Sequence, residues 1–574
     1  MFRLFSYAKN YKRQVILGPI FKFLEAVFEL ILPLYMAKLV DQGISQGNLK
    51  MIWQSTFEMV VISIIGLVFA LICQYYASVA SQGLGTELRN VLMKKMNQFS
   101  FQDLNHFGTE TLITRLTNDV TQIQWALAML IRLVSRAPFL SIGAVIMAFI
   151  IGWQIGLIFL GLLPIFCLLL YFIMTRSFPM YQKVQAQIDR LNQYVAQNLS
   201  GVRVIRAFAR TNDEVKQFDE VTDDLSKAYL RVTHLSALLS PGTTLVMNLG
   251  IIGIFVFGGF KVNIGQLQAG QVLALVNYMN QMLLALIIVS NLVVLYTRAH
   301  ASAKRINEVL TVEITTPQKS DPLPQSEANQ ALFQFVDVDF RYGNDYGLAL
   351  KKINASVYPG QTIGITGATG SGKSTLVQLL PHFYPVSSGQ LLYNSRNVEE
   401  LDLAALKSRC AVVLQSAVLF SGTIKENLQW GKKDASDAEC WQALQIAQAE
   451  DFVRELPQGL DTPIFEGGKN FSGGQRQRLT IARAVIRQAD VLILDDSLSA
   501  LDYQTDLKLR QALKQLPCTT IIVSQRLRSI QEADQIWVMD NGALIAQGSH
   551  EELLNHSSTY QEIYASQQEE EVFE

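Results

Sequence analysis

The sequence predicts two unlike halves: an all-α transmembrane domain of six long helices over residues 1–310, and an α/β P-loop domain over 330–574, joined by a linker at 311–329. Three observations carry this division. Hydrophobic residues make up 49% of the 574 residues and charged residues only 17%, too little charge for a large soluble protein, so part of the chain belongs in lipid. The apolar stretches of spanning length all lie before residue 300. From about residue 330, short apolar runs alternate with helical ones around a single phosphate-binding loop.

The six apolar segments lie near 15–40, 57–82, 128–152, 155–175, 237–260 and 270–296. Cations gather before the first (Arg3, Lys9, Lys12, Arg13) and in the second-to-third and fourth-to-fifth connections, for example Arg89, Lys94 and Lys95, then Arg203, Arg206 and Arg210. The positive-inside rule then places both termini in the cytoplasm of a multi-pass protein in the cell membrane. Those two connections keep helical periodicity with little Gly or Pro, so the helices are expected to run on past the bilayer. Each carries a candidate contact element, around Gly108–Asp119 and Asn198–Phe208.

Charges inside the spans are costly, about 3 kcal/mol or more at mid-membrane, and so need a wet cavity or a partner. Glu25 and Glu29 share one helix face, as do Arg132 and Arg136. Depth counting puts Glu25 level with Arg136, which favours an ion pair between them slightly over a role in the substrate path. The five cysteines include no CxxC pair, which argues against a disulfide framework or zinc site. The formal net charge of −1 provides no field that would draw nucleic acid. The basic N-terminus, which leads into an apolar span with no small-residue cleavage site, reads as an uncleaved first helix.

Pro317, Pro322 and Pro324 mark the linker. Beyond it, GATGSGKST runs from Gly367 through Thr369, Gly370, Ser371, Gly372, Lys373 and Ser374 to Thr375, between an apolar strand pattern and a helix start. Such a loop points backbone N–H groups at phosphate oxygens, with the lysine as a cation and the Ser374 hydroxyl as a Mg²⁺ ligand. A chance match in a chain of this length has a probability of about 2%. Residues 330–574 are therefore expected to form an α/β P-loop nucleotide-binding domain. Tyr342 could stack on a base, and Gln415 follows an apolar strand. Ser472 reads as the N-cap of a helix opening Gly473, Gly474, Gln475. VLILDD ends a buried strand in two carboxylates, Asp495 and Asp496, as Mg²⁺ and a water require. SALD adds Asp502, and IIVSQR ends in Gln525 and Arg526.

Taken together, these motifs resemble those of ATP-binding cassette exporter half-transporters, and the resemblance covers the chain from end to end. It implies two assembled chains, ATP and Mg²⁺ as cofactors, and ATP sites that each join one chain's phosphate loop to the other's SGGQ segment. It further implies that Tyr342 stacks on adenine, Lys373 binds phosphate, and Ser374, Gln415 and Asp495 serve the metal. Asp502 would communicate across the dimer, and Gly108–Asp119 and Asn198–Phe208 would be coupling helices.

Two positions depart from the family pattern. Asp496 stands where the family has a catalytic Glu, and Gln525 where it has a switch His. A base withdrawn by about an ångström can lose ~10²-fold in rate, and a Gln amide cannot take up a proton as imidazole does. The expectation is a degenerate ATP site in one subunit of a heterodimeric bacterial multidrug exporter, the kind of pump that this pattern resembles. Its partner would be a homologous but distinct half-transporter carrying the Glu and His, working in membrane lipid on small amphipathic substrates. A dedicated lipid or peptide exporter and a non-transporting ATP-binding regulator are the alternatives.

Overall fold

The computed structural model describes residues 2–134, 136–313, 321–324, 330–343 and 346–573; Pro317 and the greater part of the expected linker lie outside them. The chain forms two compact units, one of residues 1–98 with 107–312, the other of 99–106 with 313–574.

The first unit is helical throughout. Leu49–Met96 and Trp153–Ser200 each run for 48 residues, about 70 Å at 1.5 Å per residue, against ~30 Å of hydrocarbon. Among the described residues five helices are long and apolar enough to cross a membrane, not the six expected. The remaining candidate, Lys12–Lys38, is a 27-residue helix interrupted by Lys22, Glu25 and Glu29. Small side chains fill the packing seams: Ala77, Ala80, Ala137 and Ala144 are fully buried, letting helices approach closely where lipid gives no hydrophobic drive for association.

The intramembrane charges pair differently from the sequence expectation. Arg136 Nη2 donates to both carboxylate oxygens of Glu29 at 2.8 Å, while Glu25 takes Lys22, 2.7 Å away on its own helix. Glu25 and Glu29 still share a groove with Arg136. Arg132 turns instead to the Ser78 hydroxyl at 2.7 Å. Depth counting erred by one turn, about 6 Å, and Leu130–Val134, which carries Arg132, is a wider π-helical turn. That wider turn shifts the phase of everything after it, and apolar periodicity does not announce it.

Gly108–Asp119 is tied in by its polar residues. It lies in the helical unit, where fully buried Asp119 accepts from Ser302 Oγ and Arg305 Nε, both at 2.8 Å. Arg115 pairs with Glu308 at 3.1 Å. The segment that packs within the α/β unit is Phe99–His106. There Asn105 donates to the Tyr384 hydroxyl at 2.9 Å and the Phe101 ring lies 4.6 Å from Phe383. Asn198–Phe208 lies in the helical unit and contains the short helix Val202–Ala207.

In the second unit six strands form one sheet in the order Ala543–Gly548, Gln535–Asp540, Thr362–Gly367, Thr519–Val523, Val491–Asp495, Cys410–Val413. All neighbours are parallel except the first pair. Val491–Asp495 and Thr519–Val523 are buried at every position, as parallel strands covered on both faces must be. Alternate residues serve different cores. Val491, Ile493, Ile521 and Trp537 pack toward a four-stranded antiparallel sheet; Leu492, Leu494, Ile522 and Val538 pack toward helices that include Gly473–Val485. The last helix of the unit spans Ser558–Phe573.

The pairing predicts unequal consequences for the two glutamates. Glu29→Gln leaves Arg136 without its counter-ion and should lower thermal stability of the purified protein by roughly 1–3 kcal/mol. Glu25→Gln should cost less, because flexible Lys22 can move toward polar surroundings. Equal losses from both would contradict the pairing.

Candidate nucleotide site

Four adjacent parallel strands end side by side, and each delivers one functional segment past its carboxyl end. Thr362–Gly367 leads into the phosphate loop and Val491–Asp495 ends on its carboxylates. Thr519–Val523 leads to Gln525, and Cys410–Val413 to Gln415. Ligands of open α/β sheets bind at such an edge.

The loop's shape depends on glycine. Gly367 has φ +144° and Gly372 φ +101°, both in the range that favours glycine. A Cβ on Gly367 would stand 2.1 Å from the Met539 carbonyl oxygen, and one on Gly372 3.0 Å from that of Ala349. These are backbone obstacles that cannot yield. Lys373 folds back to donate to the Gly367 and Ala368 carbonyls, each at 2.8 Å. Ser374 Oγ donates to Asp495 Oδ1 at 2.8 Å. Gln415 Nε2 donates to Asp496 Oδ2 at 3.1 Å. Asp496 sits at φ +47°, with its N–H bonded to the Val523 carbonyl at 3.0 Å.

Burial acts on the charges in opposite senses. It raises the Asp495 carboxyl above the usual aspartate range, helped by Asp496 and opposed by the Ser374 hydroxyl and Lys373. It raises Asp496 too, against the Gln415 amide, Lys373 and Arg526. It lowers Lys373, with the two aspartates opposing.

A cavity of about 580 Å³ opens over this edge, lined by Tyr342, Thr369, Gly370, Gly372, Lys373, Ser374, Thr375, Gln415, Asp496 and Gln525, among others. The Tyr342 ring meets Tyr384 edge-on at 5.3 Å, and its hydroxyl shares a 2.9 Å hydrogen bond with Thr375 Oγ1. The donors fit Mg-ATP: an ammonium and a glycine loop for phosphates, and Ser374, Asp495 and Gln415 oxygens for the metal. The buried Ser371 hydroxyl, without a hydrogen-bond partner, stands in the same loop.

Other expected residues stand apart from the cavity lining. Ser472 caps the helix Gly473–Val485, sharing a reciprocal capping box with Gln475; neither these two nor Gly473 and Gly474 line this cavity. Asp502 caps Tyr503–Leu513 through the Thr505 N–H at 3.0 Å, and that bond holds its carboxyl below the usual range. Sequence reasoning missed Lys351, Asn541 and Gly542, which also line the cavity. Asn541 and Gly542, with φ +46° and +82°, turn the hairpin between the last two strands, as Asn-Gly does. The dipeptide was legible as a turn. Its place beside the phosphate loop follows only from the register Met539↔Gly367.

The raised Asp495 predicts how metal-dependent nucleotide binding falls with acidity. Protonation removes a Mg²⁺ ligand, so the Mg²⁺ needed for ATP binding should rise as pH falls, starting above the ordinary aspartate range. Ser374→Ala, which removes the bond favouring the charged form, should move that onset higher still. Titration calorimetry across pH checks both; an onset at or below the ordinary range contradicts them.

Comparison with known proteins bears on both units. Residues 15–286 match the family model described as ABC transporter transmembrane region, and 350–499 match the one described as ABC transporter. The chain is 36% identical over 567 residues to the uncharacterized ABC transporter ATP-binding protein YfiB of Bacillus subtilis, covering 99% of this chain and 98% of that one. It is 30% identical to the ATP-dependent lipid A-core flippase of Haemophilus ducreyi, over 98% of this chain and 97% of the other. In fold it is similar to a bacterial Atm1-family ABC exporter solved with ATP bound, with a TM-score of 0.77 and 23% identity over 97% of this chain and 98% of that one.

Proposed function

This chain belongs to the ABC transporters, and on that premise we propose that it is one subunit of an ATP-driven exporter of amphipathic compounds or drugs. Its own site holds Mg-ATP but hydrolyses it slowly, and its Ser472–Gln475 segment completes the ATP site of a homologous but distinct partner. It works in the cell membrane with both termini cytoplasmic.

The observation that carries this reading is the chemistry at the cavity's reacting edge. Among the described residues lining it, neither Glu nor His appears; Asp496 and Gln525 stand there instead. The Asp496 carboxylate is one methylene short of a glutamate and already accepts the Gln415 amide at 3.1 Å. A base must lie within hydrogen-bond reach of the attacking water, and about an ångström of withdrawal can cost ~10²-fold. Gln525 can donate to a γ-phosphate oxygen but cannot exchange a proton with it. Binding groups are intact while both chemistry groups are changed.

The position of the Ser472–Gln475 segment supports a second chain. Its helix start carries partial positive charge and N–H donors suited to an anion, yet it does not line its own chain's cavity. Those donors serve an ATP presented by a partner. The lipid A-core flippase among the relatives favours a second reading of the cargo, a membrane lipid, which substrate-stimulated ATPase in vesicles of defined composition would distinguish.

Two experiments test the proposal. The purified chain alone should bind Mg-ATP with little turnover, and Asp496→Glu with Gln525→His should raise its ATPase by about tenfold or more; fast turnover by the unsubstituted chain would refute the weak site. In the assembled pair, Ser472→Ala should lower ATPase and transport by ~10²-fold, while Lys373→Ala leaves a measurable fraction. The reverse order would make this chain's own site the engine.

A further inference from the structure

We infer that Gln567 is a positioning residue for Gln525: the C-terminal helix reaches back and, through one amide, fixes the turn that presents the Gln525 side chain to the nucleotide cavity.

The turn needs outside support. Ser524 N–H, just past the strand Thr519–Val523, still bonds to the Ile365 carbonyl at 3.0 Å. Gln525 and Arg526 then stand exposed. Arg526 is extended, with φ −84° and ψ 112°, so its own N–H and C=O face one side while the Gln525 C=O and Leu527 N–H face the other. Each side is held by one side chain. The Ser524 hydroxyl accepts from Arg526 N–H at 3.0 Å and donates to the Arg526 carbonyl at 3.1 Å. On the opposite side Gln567 Nε2 donates to the Gln525 carbonyl at 2.6 Å, and Gln567 Oε1 accepts from Leu527 N–H at 2.8 Å.

A primary amide is the side-chain group that carries a donor and an acceptor in the same plane, as a peptide edge does. A carboxylate in its place could still take the Leu527 N–H but would face the Gln525 carbonyl with no proton to give. The helix that carries the amide is itself anchored. Tyr560 is fully buried, with its hydroxyl 2.7 Å from His550 Nδ1. Ile563 and Tyr564 pack on the same core. Residues 560, 563, 564 and 567 follow the i, i+3, i+4, i+7 spacing of one helix face, which brings Gln567 inward onto the turn. Gln525 in turn lines the cavity with Lys373 and Asp496, where a γ-phosphate would lie. Loss of the clasp therefore releases the group that distinguishes ATP from ADP, with the phosphate loop untouched.

The inference rests on nucleotide binding in this cavity and not on how fast the site turns over, so the two readings fail separately: one in an ATPase assay, the other in a ratio of affinities. Full-length protein in nanodiscs is titrated with Mg-ATP and with Mg-ADP. Gln525→Ala should reduce the preference for ATP by about tenfold and leave ADP affinity unchanged. Gln567→Ala should do the same, and the double substitution should add nothing further. Gln567→Glu keeps the side chain's length and helix packing and should also lose the preference. Retained ADP affinity reports a folded site. The inference is overturned if Gln567→Ala weakens both nucleotides alike or changes neither, if Gln567→Glu behaves as the unsubstituted chain, if the two alanine effects add, or if Gln525→Ala leaves the preference intact.

Discussion

Strand register in the parallel sheet is the constraint on which the rest of the α/β unit depends. Ile365 pairs with Val523, and Val523 with Asp495, so the phosphate loop, the turn bearing Gln525 and the two carboxylates leave the sheet at one level. The register is held by burial on both faces. A slip of one residue would exchange Ile493 with Leu494 and Ile521 with Ile522, sending each into the wrong core. It would also carry Asp495 from beneath Ser374 toward the opposite face. Apolar packing thus sets the geometry of a polar site that could not hold itself together.

That site concentrates charge in a partly dry place. Asp495 is 2% exposed and bonded to one hydroxyl, while Asp496 adjoins it and Lys373 has turned to backbone carbonyls. Two carboxylates raised by burial and one ammonium lowered by it make a set whose charges gain from an added cation and polyphosphate. The backbone at Asp496 contributes as well. Its φ of +47° is unusual for a residue other than glycine and costs about 1 kcal/mol or more. The same bend brings its carboxylate to Gln415 rather than continuing the strand.

The α/β half was legible where chemistry is local in sequence. The glycine loop, the Asp495–Asp496 strand end and the Ser472 cap each announce themselves within a few residues, and the structure has them as loop, strand end and capping box. What was not legible depends on tertiary register. Lys351, Asn541 and Gly542 reach the cavity only because their strands lie beside the phosphate loop, and Gln567 reaches Gln525 across 42 residues of sequence. In the helical half, apolar length was legible and azimuth was not. Arg136 pairs with Glu29 after a π turn at Leu130–Val134, and the charges of Lys12–Lys38 set that helix apart from the five described helices long and apolar enough to cross a membrane. Gly108–Asp119 looked like a solvent-side contact element by composition. The partners of its Arg115 and Asp119, which are Glu308, Ser302 and Arg305 inside the helical unit, could not be read from that composition.

The Ser472 cap and the glycines after it stand apart from the cavity lining of their own chain. Ser472 and Gln475 satisfy one another's backbone, leaving a glycine-lined helix start whose next N–H groups have no side chain in front of them. A Cβ on Gly473 would meet nothing within 4 Å, and one on Gly474 would lie 3.2 Å from the Ala500 carbonyl. Such a surface is suited to close approach by a polyanion that the chain's own phosphate loop does not bring to it. Among the described residues, the cavity lining has phosphate and metal groups but none of Ser472–Gln475. In the function proposed above, the phosphate loop of one chain and the Ser472–Gln475 segment of another would complete each other. There the pairing is between unlike chains, which would leave the two composite sites free to diverge. On that proposal one site would keep the proton chemistry, while the other, with Asp496 and Gln525, would hold ATP across the pair.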